Sequence, residues 1–428
     1  MKELNKSNPE VDQLINTLYK NESGKVIGVL VNLLGTENFS LAEDIVQEAF
    51  ITALEKWSLD RVPDSPLAWV IQVAKNLGLN ALKRDKNFQN KKNDVIQELK
   101  NSSAYNYYSA ETLSDEIKDS QLKMIFVCCN PLISAESRIA LALKTLCGLS
   151  IGEIANAFLT QEKTIEQRLF RAKEKIRAAK ISFEIPQGEL AKRLGTVHEV
   201  IYLMFNEGYN SSQSKSFIRV DLCKEALYLC FLLTEFTLTD TADTNALLSL
   251  MLFHISRFKS RTDDRGFPLS LSEQDRNLWD KAIIEKGMFH FNKSLEEKKK
   301  SEYHFQAGIA LCHCAAENYL STNWTQILTL YDHLIAISNS SVFLLNRIVA
   351  LSKVDGPTKA LAELQKLKKL KPLQDYYLLY AVEAELQSEL KNYAEAINLF
   401  EKALKLCQSV HIKEVMTKKL NQCEEKNE

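Results

Sequence analysis

Lys163, Gln167 and Arg171 recur four residues apart in LSIGEIANAFLTQEKTIEQRLFRAKEKIRAAK, residues 149–180. At about 100° per residue they share one helix face. Arg and Lys can pair with guanine edges and Gln with adenine in a major groove. Ile165, Leu169, Ala172 and Ile176 fall on the opposite face, which is therefore the one to bury. Upstream, Ser150 and Glu153 have capping-box spacing, and Ile151, Ile154, Ala155 and Phe158 form the stripe of a short amphipathic helix. Thr160 is placed to cap the second, longer helix. Two helices, a tight turn and an outward row of long polar side chains predict a helix-turn-helix. Arg168, Lys173, Lys175, Arg177 and Lys180 add charge suited to phosphates. The alternative is a solvated face on an ordinary helical hairpin.

Two earlier stretches carry comparable chemistry. In LAEDIVQEAFITALEKW, after a Ser40–Glu43 capping-box pair, Ala42, Ile45, Val46, Ala49, Ala53 and Trp57 face inward. Asp44, Gln47, Glu48 and Glu55 gather elsewhere around Ile51, either as a docking strip for a partner or as a solvated acidic face. In LAWVIQVAKNLGLNALKRDK, Asp64 or Ser65 caps, Pro66 occupies the first turn, and Val70, Ala74, Leu77 and Ala81 turn inward. Trp69, Gln72, Asn76, Asn80 and Lys83 cluster opposite, and Arg84 follows. An aromatic beside amides and bases can stack on unpaired bases; the other reading makes Trp69 a core residue at a helix contact.

The elements that position these rows are helices throughout. The chain has 428 residues, 45% hydrophobic and 25% charged, with only 13 Gly and 8 Pro. Alternating β-branched runs are scarce, so the expected fold is all-α, and the length allows several domains. The formal charge is −1, so any nucleic-acid footprint is local. MKELNKSNPE has no apolar core of a signal, and no apolar run reaches about 18 residues, which predicts a cytosolic chain with no membrane partner. The 9 Cys are expected reduced. Cys128-Cys129 and Cys312-His313-Cys314 lie in helical patterns whose side chains diverge, so neither a metal site nor a cofactor is expected.

In order and spacing, AEDIVQEAF, PLAWVIQVAKNLGLNALKR and SIGEIANAFLTQEKTIEQRLFRAKEKIR resemble regions 2 and 4 of a bacterial RNA polymerase sigma factor of the extracytoplasmic-function group. The resemblance covers residues from about 20 to 180. It implies that the chain binds core RNA polymerase, through its β′ coiled coil and β flap, and promoter DNA, and that it directs transcription initiation. It places Asp44, Gln47 and Glu48 on the β′ coiled coil. Trp69, Gln72, Asn76, Asn80, Lys83 and Arg84 would melt and read the minus-ten element. Lys163, Thr164, Gln167, Arg168 and Arg171 would read the minus-thirty-five element. Asn80 stands where many relatives carry Asp, which leaves open the minus-ten bases it reads.

Ordinary members of that group end near residue 180. Here IPQGELAKRLGTVHEVIYLMFNEGYNSS, RVDLCKEALYLCFLL and RTDDRGFPLSLSEQDRNLWDKAIIEKG resemble the extension of a subgroup with a fused helical C-terminal domain. Asn206-Glu207-Gly208-Tyr209 and Glu273-Gln274-Asp275-Arg276 invite a hydrolase reading, but no nucleophile has a positioned base near His198 or His290. A buried polar network joining helices is expected, and no enzyme. Helical units at Thr325–Ile337, Thr358–Leu370 and Tyr393–Leu406 repeat at nearly the tetratricopeptide period, with Ile327, Leu361 and Ile397 as markers. The expected domains are region 2 at 10–85, a linker at 86–120 and region 4 at 121–182. A helical extension follows at 186–300, then tetratricopeptide-like repeats at 301–410 and a tail at 411–428. The extension is expected to regulate initiation. The rival from another class is a tetratricopeptide adaptor with a helix-turn-helix unrelated to sigma factors.

Overall fold

The computed structural model describes residues 9–84, 110–157, 160–184, 187–210, 217–338, 340–368 and 371–427. The chain forms two compact units, Met1–Met204 and Phe205–Glu428. Among the described residues there is no strand beyond a single Thr262–Pro268 bridge.

The first unit begins with α1 (Pro9–Leu34), α2 (Phe39–Trp57) and α3 (Pro66–Arg84), which pack on one another. The residues SGKVIGVLVNLLGT at 23–36 read as an apolar helix, and α1 starts well before them because Val11 and Ile15 continue the buried stripe one turn at a time. The Ser40–Glu43 capping box does not form. A 3-10 turn, Thr36–Asn38, leads into α2 with Phe39 already helical, and the Asn38 side chain donates to Leu34 O at 2.8 Å, closing α1 instead. The inward residues of α2 are buried as its spacing requires. On α3 the buried face is rotated from the expected one: Val70, Ile71, Ala74, Lys75 and Leu82 are interior, whereas Leu77 and Ala81 are half-buried. Lys75 is tolerated there because Glu116 accepts from its Nζ at 2.6 and 2.8 Å.

Glu116 belongs to α4 (Ala110–Cys128), so the last third of the expected 86–120 linker is helix. Its part before residue 110 lies outside the described residues. α4 packs on α1, and α5 (Ala135–Thr145), α6 (Ile151–Ala157) and α7 (Glu162–Ala178) follow. The Ser150–Glu153 capping box is present, with both reciprocal bonds at 2.8 and 3.1 Å. Thr160 does not cap α7. Gln161 holds that position in extended backbone, and the Thr160 amide closes α6 by donating to Ala155 O at 3.0 Å. Phe158 lies outside the described residues.

α8 (Gln187–Tyr209) contains the division between the units. In the second unit, α10 (Ala242–Ile255) is buried along most of its length and has no single polar face, its Thr244, Asn245 and Ser249 being interior with its apolar residues. A helix without a polar face must be surrounded, and α9 (Val220–Thr234), α11 (Lys281–Ser294) and α12 (Glu302–Ala315) surround it. Helices on either side of residue 300 thus share one core. Successive helices then stack on their predecessors: α13 (Trp324–Ile337), α14 (Ser341–Asp355) and α15 (Pro357–Leu367). The short α16 (Lys371–Gln374), α17 (Tyr377–Glu389), α18 (Tyr393–Leu406) and α19 (Val410–Asn427) complete the chain. Ile327 is buried, but Leu361 and Ile397 only edge a core formed by residues such as Ala360, Leu364, Ala396 and Phe400. Residues 411–427 of the segment expected as a tail belong to helix α19, which packs on α18 and buries Met416 and Cys423.

Candidate nucleic-acid interface

α7 is anchored by Ile165, Leu169, Ala172 and Ile176, all buried. That fixes the rotation of the helix, and Lys163, Gln167 and Arg171 stand exposed on the far side. Thr164 is half-buried at the edge of this row. Arg168 also sits at the edge, half-buried, with Glu136 of α5 3.3 Å from its Nη2. Phe170 is 66% exposed beside Arg171 and was not singled out from sequence. Its signal was there: it lies three residues after Gln167, on the same face, and an exposed aromatic can contact thymine methyl groups.

Not every base of this helix is available to phosphate. Lys175 is exposed, and Arg177, also exposed, pairs with Glu174 at 2.7 Å, whereas Lys173 forms an ion pair with Glu43 of α2 and lies 5.7 Å over the Phe39 ring. Its expected place among the free positive charges is therefore corrected. Around this pair, Thr36 Oγ1 donates to Ile181 O, and α7 packs on the 3-10 turn that opens α2. The two candidate DNA-reading modules are in direct contact.

On α2, Asp44, Gln47 and Glu48 are exposed in one strip, and Ile51, 57% exposed, lies among them. On α3, Gln72, Asn76, Asn80 and Lys83 form a second exposed row, with Gln72 Nε2 donating to Asn76 Oδ1 at 3.4 Å. The side chain of Arg84 lies outside the described residues. Trp69 sits at a helix contact, as its second reading has it, and is also partly exposed. One edge packs on buried Trp57, ring centroids 5.3 Å apart, while the residue stays partly exposed with Lys56 Nζ 5.9 Å from its ring.

Of the cysteines in the two motifs, Cys128 and Cys129 are buried, and burial pushes the Cys129 thiol up to about 12 and Cys128 well above its ordinary value, which disfavours the reactive thiolate.

The polar segments of the second unit act as joints between helices. Gly208 lets α8 and α9 approach closely: a Cβ there would lie 2.7 Å from Cys223 Sγ. Glu273 accepts from Ser270 and from Lys418 of α19 at 2.7 Å. Arg276 donates to His313 O and, at 2.8 Å, to Ala316 O. His290 is tied to Asn245 at 2.8 Å.

Glu207, partly buried, has its pKa raised from 4.5 to about 7, by burial and against the opposing pull of Arg219. Between those values the folded chain keeps a proton that the unfolded chain has released. Stability should therefore fall as pH rises from about 4.5 to about 7 and level off above. Glu207→Gln should remove that fall, and parallel melting-temperature profiles for variant and wild type would refute the assignment.

Residues 18–88 match the family Sigma-70 region 2, residues 132–176 match Sigma-70, region 4, and residues 193–295 match a family of unknown function. The two sigma matches contain the α2 strip, the α3 row and the α7 row. No solved structure matches the chain. An uncharacterized protein of Rhizobium meliloti (strain 1021) is 36% identical over 375 residues, 86% of each chain. The chain belongs to one family with that protein, and it carries Sigma-70 region 2 and region 4 domains, which support a sigma factor for transcription initiation similar to the extracytoplasmic-function group.

Proposed function

We propose that the chain recruits core RNA polymerase to a subset of promoters and assists their melting in the cytoplasm, without covalent chemistry of its own. The observation that carries this reading is the pair of exposed polar rows, on α3 and α7, inside the two sigma-70 matches. Asp44, Gln47 and Glu48 bind the polymerase β′ coiled coil, and region 4 meets the β flap. Trp69, Gln72, Asn76, Asn80, Lys83 and Arg84 take the minus-ten element. Flipped bases gain stacking and amide contacts there that a duplex cannot make, which shifts the closed-to-open equilibrium. Lys163, Thr164, Gln167, Arg168 and Arg171 fix position in the major groove of the minus-thirty-five element. Region 4 must leave region 2 to do so, since boxes some 25 base pairs apart lie about 85 Å apart along the duplex.

The test is run-off transcription with purified core polymerase on promoters mapped after overexpression. Failure to start RNA at any of them, with the extension present or removed, overturns the reading. Asp44→Ala should lower core-polymerase affinity while the melting temperature holds, because the side chain is exposed. A melted domain would instead make the acidic strip structural.

The extension acts as a built-in regulator, and its last helices as a tetratricopeptide-like interaction surface. This rests on the stacked helix pairs from α13 to α19. Truncation near Ile185 should change promoter output; the same output with and without cell extract removes the idea.

A further inference from the structure

α4 belongs to neither sigma-70 match, since one ends at residue 88 and the other begins at 132. It nevertheless lies against region 2. It packs on α1, so closely that a Cβ at Gly28 would stand 3.8 Å from Ser120 Cβ. From this seat α4 also reaches α3. Lys75 of α3 is 8% exposed, and its Nζ donates to both oxygens of Glu116, at 2.6 and 2.8 Å.

Lys75 borders the exposed row of α3. At about 100° per residue it lies about 60° round the helix from Gln72 and about 100° from Asn76. A lysine beside a row that contacts bases is placed to meet the phosphates between them. Glu116 offers its ammonium two anionic oxygens, as a backbone phosphate does, and lysine binds phosphate as a point charge.

α4 cannot keep this seat while region 2 and region 4 hold separate promoter elements. Only residues 129–134 join it to α5. That stretch reaches about 20 Å at ~3.3–3.6 Å per residue, against about 85 Å between boxes some 25 base pairs apart. If α4 travels with region 4, the tether is instead the stretch between Arg84 and Ala110, roughly 25 residues that can reach about 85–90 Å. Glu116 and the cover over Lys75 then leave together. The ammonium passes into water and is not left buried and unpaired.

We propose that Lys75 is a phosphate contact for the minus-ten strand, and that Glu116 holds it in the free chain as a stand-in for that phosphate. Departure of α4 unmasks the charge beside Gln72 and Asn76. A phosphate contact fixes the strand but reads no base, so Lys75 adds affinity on every promoter alike. This rests on the transcriptional reading above.

Two experiments with core polymerase test it. In the first, Gly28→Cys and Ser120→Cys are combined, because their Cβ separation of 3.8 Å suits a disulfide. The oxidised full-length chain should start no RNA, and dithiothreitol should restore it, while wild type is active under both conditions. Equal output from the oxidised and reduced variant overturns the departure of α4. Silence from every chain, wild type included, overturns the transcriptional reading and the proposal with it.

In the second, holoenzyme binding to promoters with an unpaired minus-ten strand is measured against salt. Lys75→Gln should weaken all minus-ten sequences by one common factor and flatten the salt slope by about 0.7–0.9. An unchanged slope, or a loss confined to one sequence, overturns the phosphate contact. If Lys75→Gln does not fold, wild type decides: a minus-ten strand carrying an abasic aldehyde is trapped on lysine with borohydride. An adduct on Lys75 supports the proposal, and adducts on other lysines alone refute it.

Discussion

Gly24→Ala should destabilise the chain, while Gly28→Ala, one turn later on the same helix, should be neutral or stabilising. Both glycines are buried in the middle of α1, where alanine is the better helix former by about 1 kcal/mol. What separates them is the neighbour. A Cβ at Gly28 would meet Ser120 O at 3.5 Å, an ordinary contact. A Cβ at Gly24 would lie inside contact distance of Thr145 O and 2.9 Å from Leu146 O, at the end of α5. Backbone carbonyls cannot rotate away as a flexible side chain does, so α1 and α5 must part. Overpacking of this kind costs about 1–3 kcal/mol, and the gain in helix propensity offsets only part of it. Urea or thermal denaturation of the two variants side by side is the measurement, and equal stabilities would show that the close approach does not hold. Since Gly24 lies in the region 2 match and Thr145 in the region 4 match, the loosened contact is the one proposed to open on promoter binding. Gly24→Ala should then initiate transcription as well as wild type at temperatures where it remains folded.

Arg171→Ala and Gln167→Ala should each cost about 1–3 kcal/mol of binding at the cognate promoter and relax sequence choice at one position. By 1.4 kcal/mol per decade, that is roughly fivefold to more than a hundredfold in affinity. Lys175→Ala should weaken every promoter by a similar factor and flatten the salt dependence by about one unit. The distinction follows from placement: Gln167 and Arg171 stand on the exposed row opposite the anchoring stripe, whereas Lys175 is exposed near the C-terminal end of α7. Binding measured across single-base promoter variants at several salt concentrations separates the cases. Identical behaviour of all three variants would rule out direct readout by this helix.

Much of the interface was legible in advance because helical periodicity is local. The face of α7 that is buried and the face that is offered follow from residues four apart, and so does the strip on α2. The Ser150–Glu153 box closes within one turn, and its bonds form as the spacing requires. Local rules failed where a distant partner competed. Glu43 has the right spacing to cap α2 but is taken by Lys173, 130 residues away. The α3 stripe is rotated because α1, α2 and the carboxylate of Glu116 jointly decide which side turns inward, making Lys75 interior and leaving Leu77 at the edge.

The amino-acid order alone therefore fixed the all-helical fold and the exposed polar rows, since both arise from interactions within a few turns of one helix. Which charges are free was decided only by tertiary packing. Lys173 is neutralised by a helix far along the chain, Arg168 is leaned on Glu136, and Lys75 is interior because Glu116 meets it. A charge's surroundings depend on segments that no repeat of 3.6 residues can bring together, and burial in those surroundings gives each charge its energetic weight.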